Sequence, residues 1–282
     1  MSTPYRDETL TLNDCKIHYM DWGNAGAPPL VMVHGLTRQA HAFDGTAERL
    51  RERYHCMALD VRGRGESAWA APETYNYEQY VADLLAFLEA KGLTEVHYLG
   101  TSMGGHIGMH LAAQHAGLFL SFLLNDIGPE SAAAGSERIQ KHVGESPASY
   151  PHLDDLLERE LERFPWQRAI PKAQYERALQ WQVRKNENGG WRFHYDPQII
   201  QGRLTDPKLR EAAQERMWRG FKALTCPIML VRGEESDLLD MSTVEAMQGA
   251  QPEMTLVRVP GVGHAPSLEE YPVVKALDKF YG

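Results

Sequence analysis

Ser102 stands in Gly100-Thr101-Ser102-Met103-Gly104, directly behind the apolar run Val96-His97-Tyr98-Leu99 and ahead of the helix-compatible stretch Ile107 to His115. G-x-S-x-G between a strand and a helix is the pattern of a nucleophile elbow, a tight turn that pushes the serine hydroxyl out of the backbone. The turn crowds the positions two residues either side of the serine, so both want glycine. Gly105 adds room for the following helix to lie close to a sheet. A serine hydroxyl is a weak nucleophile at neutral pH and needs a base that is itself held by a third group. His264, in Pro260-Gly261-Val262-Gly263-His264-Ala265-Pro266, follows the last apolar run on a glycine-rich loop that can carry an imidazole over the serine. For the third group two loops compete. Asp237 follows the run Ile228 to Val231, with Glu234, Glu235 and Asp240 nearby; Asp126 ends the run after the nucleophile helix. Either aspartate gives the chain order Ser, Asp, His.

Attack by Ser102 on a carbonyl would place negative charge on oxygen, and stabilising that charge is usually the largest catalytic contribution. One backbone N–H is expected from Met103, next to the nucleophile, and the second from Leu36, in the His34-Gly35-Leu36 loop after the run Leu30 to Val33. Arg38 and His41 follow that loop and His106 lies one turn beyond Ser102, so each is a candidate for contact with a polar substrate group.

These residues need a frame that brings loop ends together. Short apolar runs alternate with amphipathic stretches, which predicts an α/β fold with a mainly parallel central sheet flanked by helices. Thr9 to Leu12 and Lys16 to Trp22 read as a hairpin turned at Asn13-Asp14. Strands are expected at Leu30 to Val33, Cys56 to Leu59, Val96 to Leu99, Phe119 to Leu124, Ile228 to Val231 and Thr255 to Val259. Helices are expected at Ala42 to Arg53, Tyr77 to Lys91 and Met103 to His115, with a last one from Ser267. Between 131 and 222 the rhythm gives way to helical pattern broken by prolines. The expected organisation is therefore a core of residues 1–130 and 223–282, with 131–222 as a helical cap inserted after the strand that follows the nucleophile helix. Four of the six tryptophans, Trp166, Trp181, Trp191 and Trp218, fall in that insert. Open α/β sheets bind ligands at the carboxyl ends of their strands, so these tryptophans are expected to line a substrate pocket there.

Composition narrows the classes. The chain has 43% hydrophobic and 24% charged residues and a net charge of −9, which gives a nucleic-acid role no electrostatic support. No apolar run approaches the ~20 residues of a membrane span. Cys15, Cys56 and Cys226 cannot all pair and lack C-x-x-C spacing, so they read as free thiols of a cytoplasmic protein. Neither H-E-x-x-H nor a clustered His/Cys set appears, so no metal and no cofactor is expected, and the partner is a small-molecule substrate.

Taken in order, His34-Gly35, Asp60-Val61-Arg62-Gly63-Arg64-Gly65-Glu66-Ser67, Gly100 to Gly105, Asp237 and Gly263-His264 resemble the α/β-hydrolase fold superfamily over nearly the whole chain. The resemblance implies a serine-nucleophile hydrolase of small molecules, of the carboxylesterase, enol-lactonase and C–C hydrolase kind. It implies Asp237 as the acid, because the loop after the Ile228 strand is the usual source of that group. It also implies that Asp60 to Ser67 is structural, shaping the loop beside the elbow. A serine at position 102 rather than aspartate argues against haloalkane dehalogenase or epoxide hydrolase chemistry. The expected reaction is ester hydrolysis through an acyl-enzyme. A C–C bond or lactone hydrolase with the same triad is the alternative, and a ligand-sensing relative with slow turnover is a more distant one.

Overall fold

The structure is a computed structural model in which residues 4–169, 179–200 and 207–282 are described. The chain opens with the hairpin β1 (Arg6–Leu12) and β2 (Cys15–Asp21), whose two-residue turn places Asn13 and Asp14 at φ of 46° and 60°. That left-handed pair suits the twist of an antiparallel ribbon and is tolerated by Asn and Asp. Then come β3 (Pro29–Val33), α1 (Asp44–Leu50), β4 (His55–Leu59), α2 (Tyr77–Ala90), β5 (Val96–Thr101), α3 (Met103–His115) and β6 (Phe119–Asn125). A long segment follows with α4 (Ala133–Gly144), α5 (Leu153–Arg163), the short pair β7 (Val183–Lys185) and β8 (Trp191–Phe193), and α6 (Pro207–Ala223). The chain closes with β9 (Ile228–Gly233), α7 (Met241–Ala250), β10 (Thr255–Val259) and α8 (Tyr271–Phe280). The β7–β8 ribbon was not expected from sequence: its strands are three residues each, too short to show a period.

Eight strands form one sheet in the order β1-β2-β4-β3-β5-β6-β9-β10, antiparallel at β1–β2–β4 and parallel from β4 onward. Both faces are covered. Val31 and Val33 of β3, with Tyr98 of β5, pack toward α2, α3, α6 and α7. Leu30, Met32 and Leu99 pack toward α1 and α8. This explains why the central strands read as unbroken apolar runs. α6 docks closely on α3: a Cβ at Gly220 would lie 1.9 Å from the Met109 carbonyl oxygen. No described helix is long and apolar enough to cross a membrane.

The sheet runs outward in both directions from β3 and β5, and such a reversal of strand order opens a crevice at the carboxyl ends. Register then fixes the neighbours. Val33 pairs Gly100, Thr101 pairs Asn125, and Asn125 pairs Val231. The loops after β3, β5, β6 and β9 therefore emerge side by side.

Several histidines are buried or half-buried in this frame. Desolvation pushes His34 and His110 each down to about 4, and also lowers His97, His142 and His194. His18 moves the other way: burial works against its charge, but contacts with Asp60 and Asp7 outweigh it. A histidine whose folded pKa is depressed takes up its proton more readily when unfolded, so its stabilising contribution is lost as pH falls from about 6.5 toward 4. The depressed group outnumbers His18. The urea midpoint of unfolding should therefore fall between pH 7 and pH 5, before the carboxylates titrate. A midpoint that is flat or rises over that interval would contradict the burial of these rings as neutral groups.

Candidate active site

The elbow is built by close backbone crossing. Ser102 has φ 50° and ψ −114°, left-handed for a residue with a Cβ, in the sharp turn from β5 into α3. Such a conformation costs on the order of 1–3 kcal/mol and persists only when the surroundings hold it. Here the Ser102 amide donates to Asn125 O at 3.0 Å, and the Ser102 carbonyl accepts from His106 N–H at 3.2 Å. A Cβ at Gly104 would lie 2.0 Å from the Val33 carbonyl oxygen, and one at Gly100 2.5 Å from the Gly105 amide, so a side chain would force α3 away from β3 at the first and from β5 at the second.

His264 meets this serine. Its Nε2 lies 2.8 Å from Ser102 Oγ, and its Nδ1 lies 2.8 Å from Asp126 Oδ2. A carboxylate at Nδ1 assigns the ring proton there, leaving the Nε2 lone pair for the serine hydroxyl. Asp126 has no solvent exposure and accepts two further hydrogen bonds, from Gly233 N–H at 2.9 Å and from Ser236 Oγ at 2.6 Å.

The carboxylate in contact with the imidazole is Asp126, whereas the family resemblance had pointed to Asp237. Asp237 lies on the loop after β9 as expected, but its carboxylate faces α4, where Arg138 Nε and Nη2 donate to it at 2.5 and 2.7 Å. That bidentate pair is the main reason its pKa lies below the usual carboxylate value. It makes no hydrogen bond to the imidazole. Asp126 has the better position because it follows Asn125 directly, between β5 and β9, and its φ of 55° turns the chain at the strand end. Aspartate tolerates that region better than most residues.

The expected oxyanion donors lie at the same spot. Gly35 O accepts from His34 Nδ1 at 2.7 Å and from Arg38 N–H at 3.1 Å, while His34 Nε2 accepts from Val61 N–H at 3.0 Å. Gly35 O and Leu36 N–H belong to one trans peptide, so fixing the carbonyl in one direction aims the amide in the other. Arg64, fully buried, donates to Leu36 O at 3.0 Å and reaches Met103 Sδ at 3.6 Å, tying both donor residues to one guanidinium. Met103 is the first residue of α3, where an amide has no partner within its helix. Leu36, Ser102 and Met103 all line one cavity of about 550 Å³.

The predicted pocket residues divide. His106 lines the cavity, its Nδ1 2.9 Å from the Tyr77 hydroxyl and its Nε2 donating to Gly128 O at 3.1 Å. Arg38 does not: it donates to Glu160 at 3.0 Å and covers the Phe164 ring. His41 is paired with Asp44 and stacked on Trp181 at 3.8 Å. None of the four tryptophans lines the cavity. Trp166 fills the space over Gly263, where a Cβ would be 2.5 Å from its ring; Trp191 lies under Lys185; Trp218 donates to Glu130 at 2.7 Å beside a shallow depression elsewhere. The walls include Tyr77, His110, Ile139, Gln140, Gln214 and Met217. The i, i+3, i+7 spacing of Met103, His106 and His110 along α3 is a signal that could have pointed to His110.

Comparison with known proteins gives the family. The model of the alpha/beta hydrolase fold family matches residues 28–271. The chain belongs to that family, and it is a hydrolase. A 3-hydroxybutyrate-oligomer hydrolase of Cupriavidus necator is 34% identical over 272 residues, covering 94% of this chain and 92% of the relative. An N-formylmaleamate deformylase of Pseudomonas putida is 37% identical over 116 residues, 41% of this chain and 43% of the relative. The crystal structure of an alpha/beta hydrolase from Novosphingobium aromaticivorans superposes with a TM-score of 0.89 at 31% identity, covering 100% of this chain and 99% of that one.

The two aspartates can be separated by experiment. Asp126→Asn should lower kcat by about 10⁴, as expected when the carboxylate that holds a base in its tautomer becomes neutral. Asp237→Asn should cost far less than tenfold in kcat and act mainly on thermal stability through the lost Arg138 pair. Steady-state kinetics with one activated ester, alongside melting curves, checks both, and a larger kcat loss in the Asp237 variant would return the assignment to the loop after β9.

Proposed function

We propose that this hydrolase cleaves carboxylic esters through a Ser102–His264–Asp126 triad and an acyl-enzyme. The observation that carries the reading is the 2.8 Å contact between Ser102 Oγ and His264 Nε2, with the far side of the imidazole held by a buried carboxylate. In the first half-reaction His264 takes the hydroxyl proton as Ser102 attacks the carbonyl carbon. The amides of Leu36 and Met103 receive the oxyanion. Collapse expels the alcohol, which leaves with the proton from His264. Water then attacks the acyl-enzyme with the same histidine as base, releasing the acid and restoring Ser102.

Oligoesters of a short 3-hydroxy acid are the proposed substrates. The 34% identical relative named for hydrolysis of 3-hydroxybutyrate oligomers aligns over nearly its whole length, which supports this class. A cavity of about 550 Å³ is large enough for a chain of more than one such unit, and its mix of aliphatic and polar walls suits a repeating ester.

The segment from 131 onward is proposed as a lid over the carboxyl ends of the strands. Arg138 grips Asp237, Trp166 covers Gly263, and the 194–196 stretch hydrogen-bonds to residues 63–65. Those contacts fall on the loops after β9, β10 and β4, so the lid's tryptophans fasten it down rather than form the pocket wall.

Ser102→Ala should lower hydrolysis of a 3-hydroxybutyrate dimer by more than about 10⁴ while the melting temperature stays near that of the parent. A fluorophosphonate probe should label the parent at Ser102 and leave the variant unlabelled. Near-parental turnover by Ser102→Ala would overturn the mechanism. Faster cleavage of a vinylogous diketone than of any ester would overturn the substrate class.

A further inference from the structure

His110 is an unusual wall for this cavity. It lies on α3 and is only 4% exposed, yet neither Nδ1 nor Nε2 has a hydrogen-bond partner. Buried polar side chains are nearly always bonded, and one that is not calls for an explanation. A leucine or phenylalanine would fill the same space without leaving two polar atoms orphaned. The contrast with His106, one turn earlier, is direct: that ring's nitrogens are engaged by Tyr77 and Gly128, as expected of an imidazole with a structural role. Tyr77 also packs on His110, ring centroids 5.0 Å apart, and steadies the second ring without bonding to it. Burial keeps His110 neutral, its pKa pushed down to about 4, so the free imidazole presents one N–H and one lone pair.

Its place along α3 gives the distance. Met103, His106 and His110 stand at i, i+3 and i+7, all facing the cavity. Seven residues of helix advance roughly 10 Å from the elbow. A 3-hydroxy acid unit has four backbone bonds against three in a peptide residue of ~3.3–3.6 Å, so each unit spans roughly 4.5 Å. A chain with its scissile carbonyl at Ser102 would bring an oxygen of its second unit to His110.

We infer that His110 forms a remote polar subsite that hydrogen-bonds a neutral oxygen, the hydroxyl terminus or second ester carbonyl of an oligomeric hydroxy-acid ester. This rests on the ester-hydrolase reading above and adds a reason for the enzyme to prefer oligomers over plain esters. A hydroxyl can accept from the N–H or donate to the bare nitrogen, whereas an ester carbonyl can only accept from the N–H. Aliphatic neighbours such as Ile139 and Met217 would accommodate the intervening carbon chain.

The test compares two substrates of equal chain length: a linear 3-hydroxybutyrate trimer, and an alkyl alkanoate whose scissile ester is its only oxygenated group. His110→Phe keeps ring volume and removes both nitrogens. It should reduce the trimer-to-alkyl ratio of kcat/KM about tenfold, the scale of one neutral hydrogen bond. His110→Asn, which retains a donor and an acceptor, should keep that ratio within about threefold of the parent value. If His110→Phe does not fold, His110→Leu carries the same comparison. A parallel measurement does not depend on turnover: trimer binding by calorimetry to Ser102→Ala and to Ser102→Ala/His110→Phe, where the second variant should bind about tenfold more weakly. An unchanged ratio with unchanged affinity would overturn the subsite and leave the ester reading standing. A parent that cleaves neither compound would overturn the ester reading, and the binding pair alone would then decide on His110. A trimer that neither turns over nor binds would overturn both.

Discussion

The Asp126 carboxylate holds the site together. It has no exposure to water, and a carboxylate there must be supplied with donors from the protein. Three arrive: the Gly233 amide, the Ser236 hydroxyl and His264 Nδ1. Two come from the end of β9 and the loop after it and one from the loop after β10, so the carboxylate is a knot between the end of β6 and those two loops. Further contacts hold the same knot. Asn125 Nδ2 donates to Pro266 O at 2.9 Å, and Gly233 must lack a side chain because a Cβ would lie 2.4 Å from the Val262 carbonyl oxygen. With the imidazole held there, the serine needs only to be presented at the right height, which the strained elbow does.

Across the crevice, the backbone is fixed by buried polar side chains that touch no reacting atom. His34 and Arg64 together hold both carbonyls that flank the Leu36 amide. Asp60 performs a similar service one strand away, accepting from Ala40 N–H at 2.6 Å and Glu66 N–H at 2.9 Å while its Oδ2 lies 2.8 Å from His18 Nδ1. A Cβ at Gly65, where φ is 55°, would lie 2.1 Å from that carboxylate. The Asp60 to Ser67 stretch therefore works as scaffold. Charge buried in this way is costly unless every donor and acceptor is engaged, and here the geometry engages them with backbone groups that bind no substrate.

The segment between β6 and β9 shares an apolar cluster with the core, through Ile139, Met217 and Phe221 among others, and a few polar contacts add to it. Arg138 donates to Asp237 and also to Arg163 O at 3.1 Å, while Arg38 donates to the buried Glu160. Asp237 thereby serves as an anchor at the position where the resemblance placed the acid. Asp126 stands one strand further in, at the end of β6, and Asp237 is engaged by the arginine of α4.

The sequence by itself determined the strand and helix plan, the elbow with its glycines, the histidine on the last loop and the places of Leu36 and Met103 beside the elbow serine. These depend on local geometry: a left-handed serine between glycines and an alternation of apolar runs leave marks within a few residues. Only the tertiary structure set Asp126 rather than Asp237 against the imidazole, because both follow a strand and both precede His264, and a distant arginine engages Asp237. The pocket walls were likewise hidden. Tryptophans stand out in composition, but composition does not say which face of a segment meets a cavity, and Trp166, Trp181, Trp191 and Trp218 all found partners elsewhere. His110 looked like any histidine in an amphipathic helix until the fold left its two nitrogens buried and unbonded. Local pattern fixes what a residue can do; the pairing of loops from β6, β9 and β10, set by sheet register over more than a hundred residues of chain, fixes which residues do it.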